Sequence, residues 1–487
     1  MNRKNSFIGR QSELQILESV RSKNTASLIV IKGRRRIGKS RLAEEFGKRY
    51  RFINIAGNPP IDKEPKNYQI HSFGLQLASQ LGLHPFKDND WYDALVRLAD
   101  FTKTGKVVIL LDEISWMSGS DKSFLGKLKT VWDQYFSKNP ELILILCGSV
   151  SSWIEKNILS STGFVGRISS VLNLEELSLE EANLFFTDRW GAYEKFKILS
   201  VTGGVPKYLE EIDTSLTAEQ NISNLCFSSH GFLYREFSQI FSDLFQSRNA
   251  IYERLLYAIN NNAQTLKEIS NELSIDYKSG TISSYLNDLC EAGFISKNYG
   301  YNIKSGVLSR YQQYKISDNY TNFYLNYILP NIKLIEKRLL ENQDLGLLPK
   351  FNVIMGLQFE NLVLNNLAKL YELLKISKES IKFAGPYFKP ATKVQKGVQI
   401  DLMIATKDII YIVEIKFQRG QIAKSVIEEV RQKVERIQAP KRMSYRTVLI
   451  HVNGVSEELE DEKYFDFIVD FSQMLGFNNL PHSGFKS

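Results

Sequence analysis

The chain has 487 residues, 43% of them hydrophobic and 24% charged, a balance that excludes a disordered or collagen-like polypeptide and supplies apolar surface for roughly three domain cores. Its formal net charge of +8 is compatible with a polyanionic partner, although nucleotide binding also calls for local positive charge. The three cysteines, Cys147, Cys226 and Cys290, lack disulfide or metal spacing, and no apolar run reaches membrane-spanning length; the expectation is a cytoplasmic protein with no signal peptide and no membrane partner.

The chain opens on Phe7-Ile8-Gly9-Arg10 and a helix, ELQILESVRS. Leu28-Ile29-Val30-Ile31 then reads as a buried parallel strand. It runs into Gly33, Arg34, Arg35, Arg36, Ile37, Gly38, Lys39, Ser40 and Arg41, followed by helical sequence. Strand, G-x-x-x-x-G-K-S, helix is a P-loop in the required order. Backbone N–H groups of such a loop wrap a β-phosphate and the helix N-terminus adds its dipole. Lys39 would put a point charge on the β- and γ-phosphates, and Ser40 would ligate Mg²⁺. ATP and Mg²⁺ are therefore the expected ligands.

A second strand is predicted at 52–55, a proline-bearing loop at 57–68, and helices at His71–Leu81 and Trp91–Phe101. Val107-Val-Ile-Leu-Leu-Asp112-Glu113 reads as a Walker B strand, with Asp112 holding Mg²⁺ through water and Glu113 polarising the attacking water. Another buried strand, Leu142–Leu146, ends in Cys147-Gly148-Ser149, with Cys147 a core residue. Ser149 is either a sensor of the γ-phosphate or a turn residue. Arg167, after Phe164-Val-Gly166, is either a phosphate-contacting finger or sensor or a solvated cation. An apolar strand and an amphipathic helix, LSLEEANLFF, come next, and in Thr202-Gly203-Gly204-Val205-Pro206 the fixed φ of Pro206 suits packing on adenine.

GRRRIGKSR, VVILLDE, CGS, the Gly166-Arg167 pair and GGVPKYL, in that order, resemble the archaeal-type ATPase family beside the STAND and AAA-type ATPases. The resemblance implies an ASCE-type parallel sheet and a helical lid carrying the GxP element.

A polar stretch from Thr214 to Ser229 leads into a phenylalanine-rich helical region with Arg235 and Glu236. Helices follow at Tyr252–Asn260, at Thr265 (a Thr265/Glu268 capping box) and at Ser279–Ala292, with Gly293 as C-cap. Phe294-Ile295 and Tyr314-Lys315-Ile316 frame a hairpin, and the whole reads as a winged helix-turn-helix. DNA is the expected partner of such a module. Its third helix, however, has no Lys or Arg between Ser279 and Ala292, which favours an interaction or lid module.

In the last third, an amphipathic helix at Phe351–Leu370 carries Glu360, and Val398–Ile404 alternates as a strand with Asp401 opposite Ile400, Leu402 and Ile404. Its partner strand, Ile409–Phe417, carries Glu414 and Lys416 on one face of an apolar run, where charges need partners. Glu360, Asp401 and Glu414-x-Lys416 look like the PD-(D/E)xK nuclease superfamily and the C-terminal domain often fused to this ATPase family. The resemblance implies Mg²⁺ on Asp401, Glu414 and Glu360, with Lys416 beside the bound water; the alternative is a structural Glu–Lys pair in a fold that has lost activity. Arg431, Lys433, Arg436, Lys441, Arg442 and Arg446 form a cation-rich stretch that either lines a DNA path or is a solvated face.

The expected fold class is α/β: a P-loop ASCE-type sheet with a helical lid over 1–215 and 216–340, the latter including the winged helix, then an α/β nuclease-like domain over 345–487. The expected function is an ATPase coupled to a metal-dependent nuclease acting on DNA, or else an ATP-driven switch that cuts nothing. A homo-oligomer is compatible with either.

Overall fold

The computed structural model describes residues 7–61, 65, 67–119, 121–245, 249–260, 262–276, 280–341, 345–391, 396–437 and 440–476. It divides into two compact units. The first comprises Met1–Glu176 with Ile240–Gln246 and Glu291–Gly293, and the second comprises Leu177–Gln239, Ser247–Cys290 and Phe294–Ser487.

The first unit is built on a parallel sheet of β1 (Ser27–Gly33), β2 (Arg51–Ala56), β3 (Val107–Asp112), β4 (Leu142–Gly148) and β5 (Ile168–Leu174), in the order β2-β3-β4-β1-β5. β1 and β4 are apolar on both faces because both faces are covered: Ile29, Val30, Ile31, Leu144, Ile145 and Leu146 are fully buried. Helices Tyr68–Leu81, Trp91–Asp100 and Phe124–Gln134 pack Phe73, Trp91, Leu95 and Phe124 into one core with residues of β1, β2, β3 and β4. β4 lies between β1 and β3, so the tip of β4 falls between the loop after β1 and the carboxylates after β3.

In the second unit, the predicted LSLEEANLFF helix shrinks to Leu179–Asn183. The N–H groups of Leu184, Phe185 and Phe186 each bond three residues back, and the chain leaves the helix in turns. The stretch Thr214–Ser229 in turn contains a helix, Ala218–Cys226, capped by a Thr217/Gln220 box and burying Ile222, Leu225 and Cys226; its polarity hid that box.

Helices Asn249–Ile259, Leu266–Leu273 and Thr281–Glu291 precede an antiparallel hairpin of β6 (Ile295–Asn302) and β7 (Val307–Ile316). The hairpin is longer than predicted, with Asn302 facing Val307 at its tip. The Thr265/Glu268 capping box is formed. Gly293 has φ 77° and Phe294 N donates to Leu289 O, as a helix-ending turn requires. Ser279 lies outside the described residues.

The predicted amphipathic helix at 351–370 is two helices, Phe351–Leu364 and Leu367–Leu373, broken at Asn365-Asn366. The Asn366 side chain donates to Leu362 O and accepts from Leu179 N, which diverts the chain. The first of the two is buried on most sides, and its polar members are satisfied internally: Gln358 Nε2 donates to Asn319 O and Asn361 Nδ2 to Ile316 O.

The last sheet runs β12-β11-β10-β9-β8, from β8 (Phe383–Lys389), β9 (Val398–Ala405), β10 (Ile409–Lys416), β11 (Ser444–His451) and β12 (Phe467–Asp470). β8, β9 and β10 are antiparallel to their neighbours in turn, whereas β10, β11 and β12 are parallel. Helix Ser425–Arg436 buries Val426, Ile427 and Val430. Among the described residues no helix is long and apolar enough to cross a membrane.

Candidate functional site

The loop after β1 is shaped by the sheet beneath it. Gly33 has φ 148°, and a Cβ there would lie 2.3 Å from Leu174 O on β5. Its glycine is thus demanded by strand packing. Arg36 and Gly38 are both left-handed, at φ 70° and 88°, and turn the chain into helix Lys39–Gly47. Lys39 is 5% exposed; its Nζ donates to Arg34 O at 2.9 Å and to Ser149 Oγ at 3.1 Å. Ser149 Oγ in turn donates to Glu113 Oε1 at 2.6 Å, and its N–H donates to Glu113 Oε2 at 3.2 Å. Lysine, hydroxyl and carboxylate from the segments that follow β1, β4 and β3 therefore form one hydrogen-bonded chain.

Glu113 reaches it by a left-handed backbone, φ 48°, an unfavourable conformation of the kind that collects at functional sites. Ser40 Oγ donates to Asp112 Oδ2 at 2.5 Å. A hydroxyl and a carboxylate oxygen side by side are a hard-oxygen pair that suits Mg²⁺. Cys147, at the end of the same strand as Ser149, has its thiol pushed well up by burial and by Asp112, so it stays protonated as a core residue.

The other arginines serve several ends. Arg34 is 5% exposed and lies 3.5 Å from Glu176, Arg35 pairs with Asp243, and Arg41 lies 3.8 Å from Glu44. Arg167 is not brought into the Lys39–Ser149–Glu113 chain: its guanidinium donates twice to Asp133, at 2.7 and 2.9 Å. Pro206 begins helix Pro206–Glu210 in the second unit. Arg10, given no role by sequence reasoning, is buried and donates to Ile37 O at 3.1 Å and to Glu175 O at 2.5 Å, bracing the loop from behind. Its signal was the Gly9-Arg10-x-x-Glu13 spacing at the start of the first helix, where Glu13 pairs with the arginine at 2.9 Å.

In the second unit, Asp401 and Glu414 are brought together across β9 and β10. The described ladder ends at Leu402 and Val413, and Asp401 Oδ2 then accepts from Ile415 N at 2.9 Å. Between the carboxylates stands an ammonium: Lys433 Nζ is 2.5 Å from Glu414 Oε2 and 4.0 Å from Asp401 Oδ1. Lys416 lies 3.6 Å from Glu414 and turns to Glu429 at 2.6 Å. Glu360 pairs with Lys315 of β7 at 2.6 Å.

Burial and then Asp401 raise the Glu414 carboxyl, against the pull of Lys433 and Lys416; burial also raises Glu360, opposed by Lys315. Burial pulls Lys416 down, but Glu429 and Glu414 outweigh it and its pKa is raised. Among the described residues no group of three or more His, Cys, Asp and Glu side chains is gathered as a metal would need. Of the expected ligand set, Asp401 acts on both Glu414 and Glu360, and the Lys433 ammonium lies within 4.0 Å of Asp401 and Glu414. The signal for Lys433 was its spacing: it continues the Val426, Val430 stripe at the buried face of its helix. The rest of the cation-rich stretch is dispersed, with Arg431 on Glu428, Arg446 near Asp466, and Lys441 and Arg442 exposed.

A family model described as an AAA domain matches residues 25–183, and one described as archaeal and bacterial proteins of unknown function matches residues 324–433. An uncharacterized protein of Methanocaldococcus jannaschii is 26% identical over 403 residues, 82% of this chain and 84% of that protein. The Walker-type ATPase of Pyrococcus abyssi aligns with a TM-score of 0.47 at 18% identity, over 66% of this chain and 96% of that one. The ORC2 protein of Aeropyrum pernix aligns with a TM-score of 0.40 at 14% identity, over 69% and 98%. The AAA match covers the loop after β1, the carboxylates after β3 and Ser149, so the first unit carries a P-loop ATPase core.

Proposed function

We propose that this chain is an ATP-hydrolysing switch whose C-terminal domain has a nuclease-like fold but cuts nothing. The observation that carries the ATPase half is the hydrogen-bonded chain Lys39–Ser149–Glu113. Lys39 is positioned to leave Arg34 O and Ser149 for the β- and γ-phosphates. Glu113 then orients a water and takes its proton, and Ser149, bonded to both groups, reports whether Lys39 has moved. The loop residues 33–41 hold the phosphates. Ser40 and Asp112 would hold Mg²⁺, which would neutralise charge on the transferred phosphoryl group. Arg167 keeps its proposed role as a phosphate finger or sensor, for which it would have to leave Asp133, and Pro206 keeps its proposed packing on adenine.

The module over residues 249–317 is read as a winged helix-turn-helix that engages DNA or protein, within a three-part division at 1–215, 216–340 and 345–487. The regulator is preferred to the metal-dependent nuclease on one observation: the Lys433 ammonium stands where the shared cation of Asp401 and Glu414 would be. The test is paired. Lys39→Ala should lose binding of a fluorescent ATP analogue and all turnover, and wild-type protein should leave supercoiled plasmid intact with Mg²⁺ or Mn²⁺, with or without ATP. Wild-type turnover by Lys39→Ala overturns the ATPase assignment. Metal-dependent nicking that Asp401→Ala abolishes overturns the regulator and restores the nuclease.

A further inference from the structure

We propose that the groove between the β6–β7 hairpin and β8 binds single-stranded nucleic acid, with a base stacked on Tyr311 and a phosphate on Lys304. The inference deepens the switch reading, on which its purpose rests, by naming the partner and moving its site away from the three-helix face. The groove has a volume of about 410 Å³ and is lined by Tyr301, Lys304, Tyr311, Tyr387, Phe388 and Lys389 among others. All of these belong to the second unit.

Two features point to this ligand. The first is charge. Ala292 to Ser317 contains Lys297, Lys304, Arg310 and Lys315 and no Asp or Glu, and Ser380 to Ile400 contains Lys382, Lys389, Lys393 and Lys396, again with no carboxylate. The walls come from Gly300–Tyr311 of the first segment and Tyr387–Pro390 of the second. Lys315 is spent on Glu360 and Lys297 lies over Tyr299 and Tyr314, whereas Lys304, Arg310 and Lys382 are exposed and form no ion pair among the described residues. Glu268 is the carboxylate that acts on Tyr311, and it is held by its own Thr265 cap. Of Lys304, Arg310 and Lys382, Lys304 lines the groove itself, and an exposed cation there attracts a phosphate.

The second feature is the rings. Tyr301 stacks on Phe383 at 4.5 Å and 5°, and Tyr311 packs on Phe388 at 4.9 Å. Tyr311 is still 40% exposed. Tyr301 and Tyr387 belong to the core, so Tyr311, held by Phe388 beside Lys304, is the ring that offers a face to an unpaired base, whereas the bases of a duplex are already stacked on one another. The helix that would enter a major groove, Thr281–Glu291, carries Asp288 and Glu291 and no Lys or Arg, which argues against duplex as the preferred ligand.

The test is fluorescence anisotropy of full-length protein with labelled oligo(dT), oligo(rU) and a duplex of equal length, over a salt series, with ATP hydrolysis measured in the same preparations. Oligo(dT) or oligo(rU) should bind more tightly than duplex. Tyr311→Ala should weaken single-strand binding about tenfold. Lys304→Gln should lower the slope of log K against log salt by roughly 0.7, one phosphate contact on a single strand. Both residues are exposed, so both variants should keep wild-type circular dichroism and ATP turnover. No single-strand binding at low salt, tighter binding of duplex, or unchanged affinity and slope in both variants would each overturn the groove assignment while leaving the ATPase reading intact.

Discussion

Lys433→Met is the perturbation that most sharply probes the second unit. It keeps most of the side-chain volume and removes the ammonium that neutralises Glu414, whose side chain is 4% exposed. Removing one partner of a buried pair costs about 3–5 kcal/mol. Here Lys416 remains 3.6 Å from Glu414, and the Lys433 side chain is 21% exposed, so a cost of about 2 kcal/mol is the better figure. Because the chain has two units, amide hydrogen exchange of Ile412–Ile415 is the appropriate readout, and that cost corresponds to roughly 30-fold faster exchange.

Two controls follow from the same geometry. Adding Glu414→Gln to Lys433→Met removes the orphaned charge and should recover most of the loss, so the two substitutions are strongly non-additive. The loss should also depend on pH. The Glu414 carboxyl is raised in the folded state by burial and Asp401, and losing Lys433 raises it further. The folded variant then holds a proton that an unfolded glutamate releases near about pH 4.3. Stability of the variant relative to wild type is retained below that value and falls as pH rises through the raised folded pKa. Finally, Mn²⁺ should slow exchange in Lys433→Met and leave wild type unaffected, since only the variant lacks the ammonium that lies within 4.0 Å of both Asp401 and Glu414. Equal exchange of wild type and variant at neutral pH, with no Mn²⁺ response in either, would refute the claim that Lys433 is the site's counter-ion.

Two further predictions concern the first unit. Ser149→Ala should lower kcat about tenfold to a hundredfold, the worth of hydrogen bonds to charged groups, with nucleotide affinity little changed and Ser149→Thr restoring part of the rate in steady-state assays. Gly33→Ala must place a Cβ 2.3 Å from Leu174 O at φ 148° and should cost upward of about 2 kcal/mol, seen as a lower unfolding temperature of the nucleotide-free protein. Gly126→Ala in helix Phe124–Gln134, where nothing lies within 4 Å of the new Cβ, should instead raise it slightly.

Much of the first unit was legible in the sequence because its signals are local. A buried run ending in Gly33, a second ending in Asp112 and a third ending in Gly148 announce parallel strands whose ends converge. The chain cannot announce sheet order, yet the order β3-β4-β1 is what puts Ser149 between Lys39 and Glu113. Arg10 and Lys433 were opaque for the same reason. Each is a cation whose partners lie far along the chain, at Ile37 and Glu175 for one and at Asp401 and Glu414 for the other. The helix at Phe351–Leu364 misled through its polar residues. The stretch was expected to be amphipathic, yet Gln358 and Asn361 bond backbone carbonyls inside the fold.

The central claim is that the P-loop core binds ATP and hydrolyses it through Glu113. A single-turnover assay with γ-labelled ATP and Mg²⁺ on Glu113→Gln tests this most directly. The substitution keeps an acceptor for the Ser149 hydroxyl and removes the base. The account predicts that ATP is retained on the protein at wild-type affinity while its cleavage slows by roughly 100-fold or more. Cleavage of bound ATP by Glu113→Gln at the wild-type rate would contradict it.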